Sequence, residues 1–360
     1  MEKATSIFYH IYERNGILFM KKIIKVAVIG CSSMAKLHMK GVCENANAEL
    51  YAICGTDVEN LKIRAEEFGV ERTTTDYNEL VNDPEVDAVV LVTPDQIHRE
   101  MTEKFLKAGK AVLCEKPMAL TMEDCNAMIA CEKETGGMLM IGQICRANPR
   151  FALMKKLVDE GRIGDLMFVE SEYAHNYEKV AGFENWRKVP ERQPFIGGGC
   201  HAVDLLRWIA GDPTEVTAYS NKKYLLDWPV DDNTVAIFKF PNNVIGKVFV
   251  SIGCMRNYTM RTCLYGTKGT LIYESGSPYV QLFETNEELG CRFSSAPQML
   301  YAADKDHNAV KEIEDFIGAL IAEKPMPVSS VDGASTVAVC CAAVESAACG
   351  RPVSIEYPKA

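Results

Sequence analysis

Between residues 23 and 141, short and almost wholly apolar runs alternate with helical stretches, and this alternation narrows the possible folds more than any other feature. Ile-Ile-Lys-Val-Ala-Val-Ile at 23–29, Glu49–Cys54, Asp-Ala-Val-Val-Leu-Val at 87–92, Ala111–Cys114 and Met138–Ile141 read as strands. Helices are predicted between them over Ala35–Cys43, up to Phe68, over His98–Ala108 and over Thr121–Thr135. Strands with no polar face need cover on both sides, which predicts a doubly wound parallel sheet.

After about Gln143 the rhythm changes. Leu166–Tyr173, Glu215–Tyr219, Thr234–Phe240, Val244–Ser251 and Thr270–Tyr273 read as strands, with a hairpin at Phe240-Pro-Asn-Asn-Val244. Helices are expected over Cys200–Ala210, Asn308–Ala322 and Gly333–Ala348. The fold class is therefore α/β: an N-terminal Rossmann domain over 21–145, then an α+β domain over 146–360 with a large, open, mainly antiparallel sheet. Residues 1–20 read as an extension, either disordered or an artefact of the start site.

Two domains suit 360 residues. Thirty-nine basic against forty-nine acidic residues give a net charge of −10, and no basic run offers a track for phosphates, so nucleic acid is not expected as a partner. No stretch approaches 18 uncharged apolar residues, and the first twenty residues lack a secretory apolar region, so no membrane partner is expected. The fourteen cysteines include no Cys-x-x-Cys pair. They read as small hydrophobes in a reducing cytoplasm, with no metal site.

Gly30-Cys31-Ser32-Ser33-Met34-Ala35 lies where the first strand turns into the first helix. It matches the dinucleotide fingerprint Gly-x-Gly-x-x-Gly/Ala except that Ser32 replaces the middle glycine. At the end of the second strand Gly55 stands where an acidic residue is expected, and Asp57 follows two residues later. Asp57 either reaches a ribose hydroxyl or caps the next helix. No arginine at 55–58 would receive a 2′-phosphate, so NAD is favoured and NADP stays open. Thr93-Pro94 and His98 follow the strand 87–92, at the end of a parallel strand where cofactor crevices lie; His98 is a cofactor contact or a cap. Glu115-Lys116-Pro117 follows the next strand, where the Lys116 ammonium can stabilise an alkoxide and Pro117 can be cis. Gly197-Gly198-Gly199-Cys200-His201-Ala202-Val203-Asp204 opens a helix; His201 and Asp204 share a face at i and i+3, as a general base and its orienting carboxylate would, or as a capping pair.

Taken in order, Gly-x-Ser-x-x-Ala, Thr-Pro-x-x-x-His, Glu-Lys-Pro and Gly-Gly-Gly-x-His-x-x-Asp resemble the Gfo/Idh/MocA oxidoreductases, the family of glucose–fructose oxidoreductases and inositol dehydrogenases. The resemblance runs from about residue 22 to 355, through Arg146–Pro149, Trp186-Arg187 and Tyr265–Leu271. It implies nicotinamide held by Gly30, Ser32, Ser33, Met34, Ala35, Asp57, Thr93, Pro94, His98, Glu115 and Lys116. It implies hydride transfer with Lys116 assisting the reacting hydroxyl and His201 taking its proton, Asp204 standing behind. Arg146, His175, Asn176 and Trp186 are the implied substrate contacts. The antiparallel sheet would pair subunits into a homo-oligomer. Two departures stand out: Gly55, and Gly197 where many members carry Asp, a gap that His175 or a neighbour in Tyr173–Tyr177 is expected to fill. The implied substrate is a sugar, glycoside or cyclitol. Within that class oxidation of a glucosyl C3 hydroxyl is expected, the glycine-rich floor admitting a bulky aglycone. The alternatives are glycoside cleavage with NAD recycled and a non-enzymatic nucleotide-responsive binding protein.

Overall fold

The computed structural model describes residues 9–14, 17–180, 186–285, 296–303 and 307–358. The chain divides into two compact units. The first takes residues up to Ala119, Glu123–Gly142 and Ala309–Gly333; the second takes Leu120–Met122, Gln143–Asn308 and Ala334 onward.

In the first unit six parallel strands lie in the order Thr73–Thr74, Ala48–Cys54, Ile24–Ile29, Ala88–Leu91, Ala111–Glu115, Leu139–Gly142. The strand Ile24–Ile29 is the point where strand order reverses, which is where open α/β sheets take their ligands. Its residues Val26, Ala27 and Val28 are fully buried, as a strand covered on both faces requires. A single break near 145 does not describe this unit, because the helix Ala309–Ala322 also belongs to it. That helix packs on the helix Ser33–Glu44 at Gly41, where a Cβ would lie 3.0 Å from the Ala309 carbonyl oxygen and from Ile313. Nothing in the local pattern at 309–322 marks its destination; the packing partner lies some 270 residues earlier in sequence.

Part of the extension drawn at 1–20 is paired instead of disordered. Tyr9–Arg14 and Ile17–Lys22 form a two-stranded antiparallel sheet in register Arg14↔Ile17. The overlooked signal is Asn15-Gly16 between two runs rich in aromatic and branched residues.

The second unit holds a nine-stranded sheet. Its order is Gln298–Tyr301, Tyr279–Glu284, Gly269–Glu274, Thr259–Gly266, Leu166–Ala174, Ile245–Ser251, Asn233–Lys239, Glu215–Asn221, Val353–Ser354. All pairings are antiparallel except one, in which Ile245–Ser251 runs parallel to the central strand Leu166–Ala174. The helices Pro149–Asp159, Cys200–Ala210 and Ser330–Cys349 supply the other half of this core, through Phe151, Leu205 and Val339 among others. On the opposite face Tyr219, Ile237 and Ile245 are exposed, alternating with buried Ala218, Phe238 and Val248. The helix Ser330–Cys349 has the length and mean hydropathy to cross a membrane, although Asp332 and Glu345 interrupt its apolar run. By burial it is a core helix, with Ala338, Val339 and Ala343 packed in the second unit. Among the described residues no disulfide joins any of the cysteines.

Candidate active site

In the first unit the Ile24–Ile29 strand ends at Gly30, whose φ of +126° favours glycine. A Cβ there would fall 2.2 Å from the Val92 carbonyl oxygen, so only glycine lets the turn lie this close to the neighbouring strand end. Ser32 is the N-cap of the helix Ser33–Glu44, its Oγ accepting the Ala35 N–H at 3.3 Å. Ser33 and Met34 begin that helix, Ala35 is fully buried, and no acidic residue occupies its first turn. Together these leave a helix N-terminus suited to a pyrophosphate at the sheet's switch point.

The missing acid at position 55 has a steric cause. A Cβ on Gly55 would lie 2.4 Å from Cys31 Sγ, so the thiol of the fingerprint loop fills that space. Asp57 is the N-cap of the helix Val58–Phe68, accepting from Asn60 N at 3.1 Å and Nδ2 at 2.7 Å. The Asn60 backbone N–H, then its side-chain amide, hold the Asp57 carboxyl below the usual range.

Thr93 and Pro94 lead into a short turn at Asp95–Ile97, and Thr93 Oγ1 is buried without a hydrogen-bond partner among the described residues. An orphaned hydroxyl at a switch-point strand end fits a ligand atom there. His98 is not a cofactor contact. Its ring has no exposed surface, and its nitrogens face two backbone carbonyls, Nδ1 that of Pro117 at 2.9 Å and Nε2 that of Thr93 at 3.1 Å. It ties two strand-end turns together. Burial pushes the imidazole down, but Cys114, Asp95 and the Pro117 carbonyl outweigh it and bring it up to about 10.

The Lys116–Pro117 peptide is cis. Glu115 Oε2 accepts the Lys116 backbone N–H at 3.1 Å, and Oε1 lies 2.7 Å from His38 Nε2. Burial alone would push the Glu115 carboxyl up; the His38 ring, helped by the Lys116 charge, holds it below the usual range.

In the second unit the glycine triplet is not an open floor. A Cβ on Gly197 would meet the Arg192 guanidinium at 2.4 Å, on Gly198 the Tyr173 ring at 2.5 Å, and on Gly199 the Phe195 carbonyl oxygen at 2.5 Å. The glycines are needed for internal packing, which removes the case for a bulky aglycone from this feature. The space an Asp at 197 would enter is taken by buried Arg192, not by His175.

His201, in the first turn of Cys200–Ala210, is buried, with Cys145 Sγ 3.4 Å from its Nδ1 and the Tyr173 ring stacked at 6.0 Å between centroids. The His307 ring stands edge-on at 6.5 Å and packs on Tyr258, which in turn meets His175 at 5.0 Å. Tyr173 Oη is 3.2 Å from both His175 Nδ1 and Tyr177 Oη. Burial, then Tyr177, push the Tyr173 phenol well above its ordinary value, so it is a neutral hydrogen-bonding hydroxyl. Asn176 donates Nδ2–H to the Cys254 carbonyl at 2.9 Å, and its Oδ1 is buried without a partner among the described residues. Trp186 is half-buried with Arg187 4.0 Å and Arg192 4.8 Å from its ring centre.

The pair at 201 and 204 differs from expectation. Asp204 does not stand behind His201, and it is the Arg146 guanidinium that this carboxylate engages. Asp204, fully buried, accepts from Arg146 Nε and Nη2, both at 2.8 Å, and from Thr336 Oγ1 at 3.0 Å. A buried carboxylate needs a partner, and the nearest charge-matched one is Arg146. Sequence reading missed Cys145, Arg192, Tyr258 and His307 in this unit, and His38 and Glu312 in the first. Cys145, four residues beyond an apolar strand, carried no signal that would link it to position 201.

The N-terminal part matches the family model described as "Oxidoreductase family, NAD-binding Rossmann fold" over residues 24–143. Residues 151–272 match the "GFO/IDH/MocA C-terminal domain". The chain is 29% identical to inositol 2-dehydrogenase of Rhizobium meliloti over 92% of its own length and 99% of the relative's. It is 28% identical to 1,5-anhydro-D-fructose reductase of Ensifer adhaerens over 91% and 98%. An oxidoreductase from Agrobacterium radiobacter in complex with NAD+, L-tartaric acid and magnesium is 25% identical with a TM-score of 0.77, covering 92% of this chain and 98% of that one. Levoglucosan dehydrogenase in complex with NADH and levoglucosan shares the fold, with a TM-score of 0.84 at 23% identity over 93% and 100%. The chain belongs to the Gfo/Idh/MocA oxidoreductase family, with that family's NAD-binding Rossmann domain, and is an NAD-dependent oxidoreductase acting on CH–OH groups.

Proposed function

We propose that this oxidoreductase moves hydride between NAD and a secondary hydroxyl or ketone of a sugar, glycoside or cyclitol. NAD, when bound, supplies the two-electron acceptor for the carbinol hydrogen. Ser32, Ser33 and Met34 would offer backbone N–H groups to its pyrophosphate, with Gly30 and Ala35 shaping the turn and Thr93 and Pro94 at the neighbouring strand end. Lys116 would stabilise the oxygen as it loses its proton. His201 would accept that proton at a ring nitrogen, its orientation kept by the Tyr173 ring and the Cys145 thiol.

The observation that carries the reading is His201 buried within the cluster of Tyr173, His175, Tyr258 and His307. Flat rings with polar edges suit a polyol, which presents C–H faces and a rim of hydroxyls. His175 and Asn176 would meet those hydroxyls, with Trp186 at the cluster's edge. Oxidation of a glucosyl C3 hydroxyl to the 3-keto glycoside is the finer reading, and it rests on family resemblance alone. The enzyme would work in a reducing cytoplasm as a homo-oligomer, paired through the exposed face of its nine-stranded sheet.

The test is absorbance of NADH formed from NAD+ across cyclitols, free sugars and glucosides. Turnover on a polyol supports the class, and a 3-keto product by NMR supports the finer reading. No turnover on any of them, or aglycone release with no net NADH, overturns it.

A further inference from the structure

Beside Lys116 the first unit buries a cluster to which the mechanism above gives no task. His38 comes from the helix Ser33–Glu44, Glu115 from the end of its strand, and Glu312 from the helix Ala309–Ala322. Their exposures are 0%, 7% and 2%. His38 Nε2 stands 2.7 Å from Glu115 Oε1 and 3.9 Å from Glu312 Oε2. Gly142 closes the other side, where a Cβ would lie 3.3 Å from Glu115 Cα and 3.5 Å from Glu312 Oε1. Glu312 Oε2 and His38 Nδ1 are buried without hydrogen-bond partners among the described residues. Two carboxyl groups this close in a dry site do not both ionise. The groups that bear on the cluster are His38 from the first helix, Glu115 and Lys116 from the strand end, and Glu312 and Asp315 from the later helix.

We propose that His38 and Glu312 are positioning residues for Lys116. His38 clamps one Glu115 oxygen while the other holds the Lys116 backbone N–H, so the ring fixes the main chain from which the ammonium projects. Glu312 completes the cluster as the neutral acid, since burial and the Glu115 charge push its carboxyl well above the ordinary range. One negative charge therefore remains beside Lys116. Loss of the Glu312 proton would add a second and disturb that balance. The inference rests on the reading of Lys116 given above.

The test measures kcat, KM for NAD+ and the pH profile of kcat for His38→Leu, His38→Gln and Glu312→Gln, with Lys116→Ala alongside. NADH fluorescence titration and thermal melts establish that each variant is folded. His38→Leu is expected to lower kcat roughly tenfold to a hundredfold, the scale of a small misplacement of a reacting group, with KM for NAD+ little moved. His38→Gln, whose amide N–H can reach the same carboxylate, recovers most of the loss. Glu312→Gln cannot lose a proton and moves the alkaline limb of the profile upward. If His38→Leu does not fold, the Glu312→Gln limb decides. The proposal is overturned by a folded His38→Leu enzyme with wild-type kcat, by a Glu312→Gln limb coincident with wild type, or by a stoichiometric divalent ion lost in His38→Leu. If Lys116→Ala itself keeps more than about a tenth of turnover, the role of Lys116 fails and the proposal with it. An impaired Lys116→Ala beside a normal His38→Leu overturns the proposal alone.

Discussion

Replacing Asp204 by alanine should cost fold stability and leave the chemistry of His201 in place. The carboxylate is fully buried and takes three hydrogen bonds, two from Arg146 and one from Thr336. Arg146 itself is only 13% exposed in its side chain. Removing Asp204 takes the carboxylate away from a guanidinium with little water to replace it. Breaking a buried pair from one side costs about 3–5 kcal/mol. At roughly 2–4 °C per kcal/mol for a unit of this size, the melting temperature should fall by roughly 6–20 °C. The double variant Arg146→Met/Asp204→Leu, which replaces both charges with apolar groups, should recover most of the loss. Differential scanning calorimetry of the four proteins gives the cycle. The acid limb of the kcat–pH profile should not move in Asp204→Ala, because the carboxylate oxygens face Arg146 and Thr336. A variant that melts within about 2 °C of wild type and shows a displaced acid limb would refute this reasoning and return Asp204 to the role of orienting carboxylate.

Four further outcomes are expected. Gly55→Asp should weaken NADH binding, because its Cβ would sit 2.4 Å from Cys31 Sγ, and adding Cys31→Ala should restore it; fluorescence titration in which Gly55→Asp alone binds normally would contradict the steric account. His201→Ala should lose roughly 10²–10⁴-fold in turnover with NADH affinity kept, and an enzyme above about a tenth of wild type would place the base elsewhere. Glu312 has a raised folded pKa, so its contribution to stability is full below its unfolded value of about 4.3 and is lost as pH rises toward the folded value. Glu312→Gln removes that loss, so its melting temperature should gain on wild type between about pH 5 and about pH 8, and a constant difference across that range would count against the assignment. Light scattering should report a mass above the 40.0 kDa of one chain, and a monomer at micromolar concentration would leave Tyr219, Ile237 and Ile245 without the subunit contact proposed for them.

The parallel sheet was legible because its strands have no polar face, and Cys200–Ala210 because its apolar stripe repeats at helical spacing. Its neighbours in space were not legible. The i, i+3 spacing of His201 and Asp204 correctly puts them on adjacent turns, but a buried carboxylate is claimed by whichever cation can reach it. That cation, Arg146, lies 58 residues away in sequence. The same limit hid Cys31 behind Gly55 and Arg192 behind Gly197. In each case a glycine recorded the presence of a neighbour whose identity only the fold supplies. Strands Thr259–Gly266, Tyr279–Glu284 and Gln298–Tyr301 were not read from the sequence; they lie on one side of the strand Leu166–Ala174 in a sheet otherwise recognised.

The helix Ala309–Ala322 has a consequence for how the protein is made. The nucleotide-binding unit is discontinuous: its sheet is complete at Gly142, yet it takes one helix and Glu312 from more than 160 residues later. A nascent chain emerging from the ribosome therefore carries an unfinished first unit throughout synthesis of most of the second. The groove along Gly41 and the His38–Glu115 pair wait for residues 309–333 before they are covered. Translation of the segment 143–308 thus sets a window in which this unit is open to chaperones and proteases, and release of the helix near residue 322 ends it.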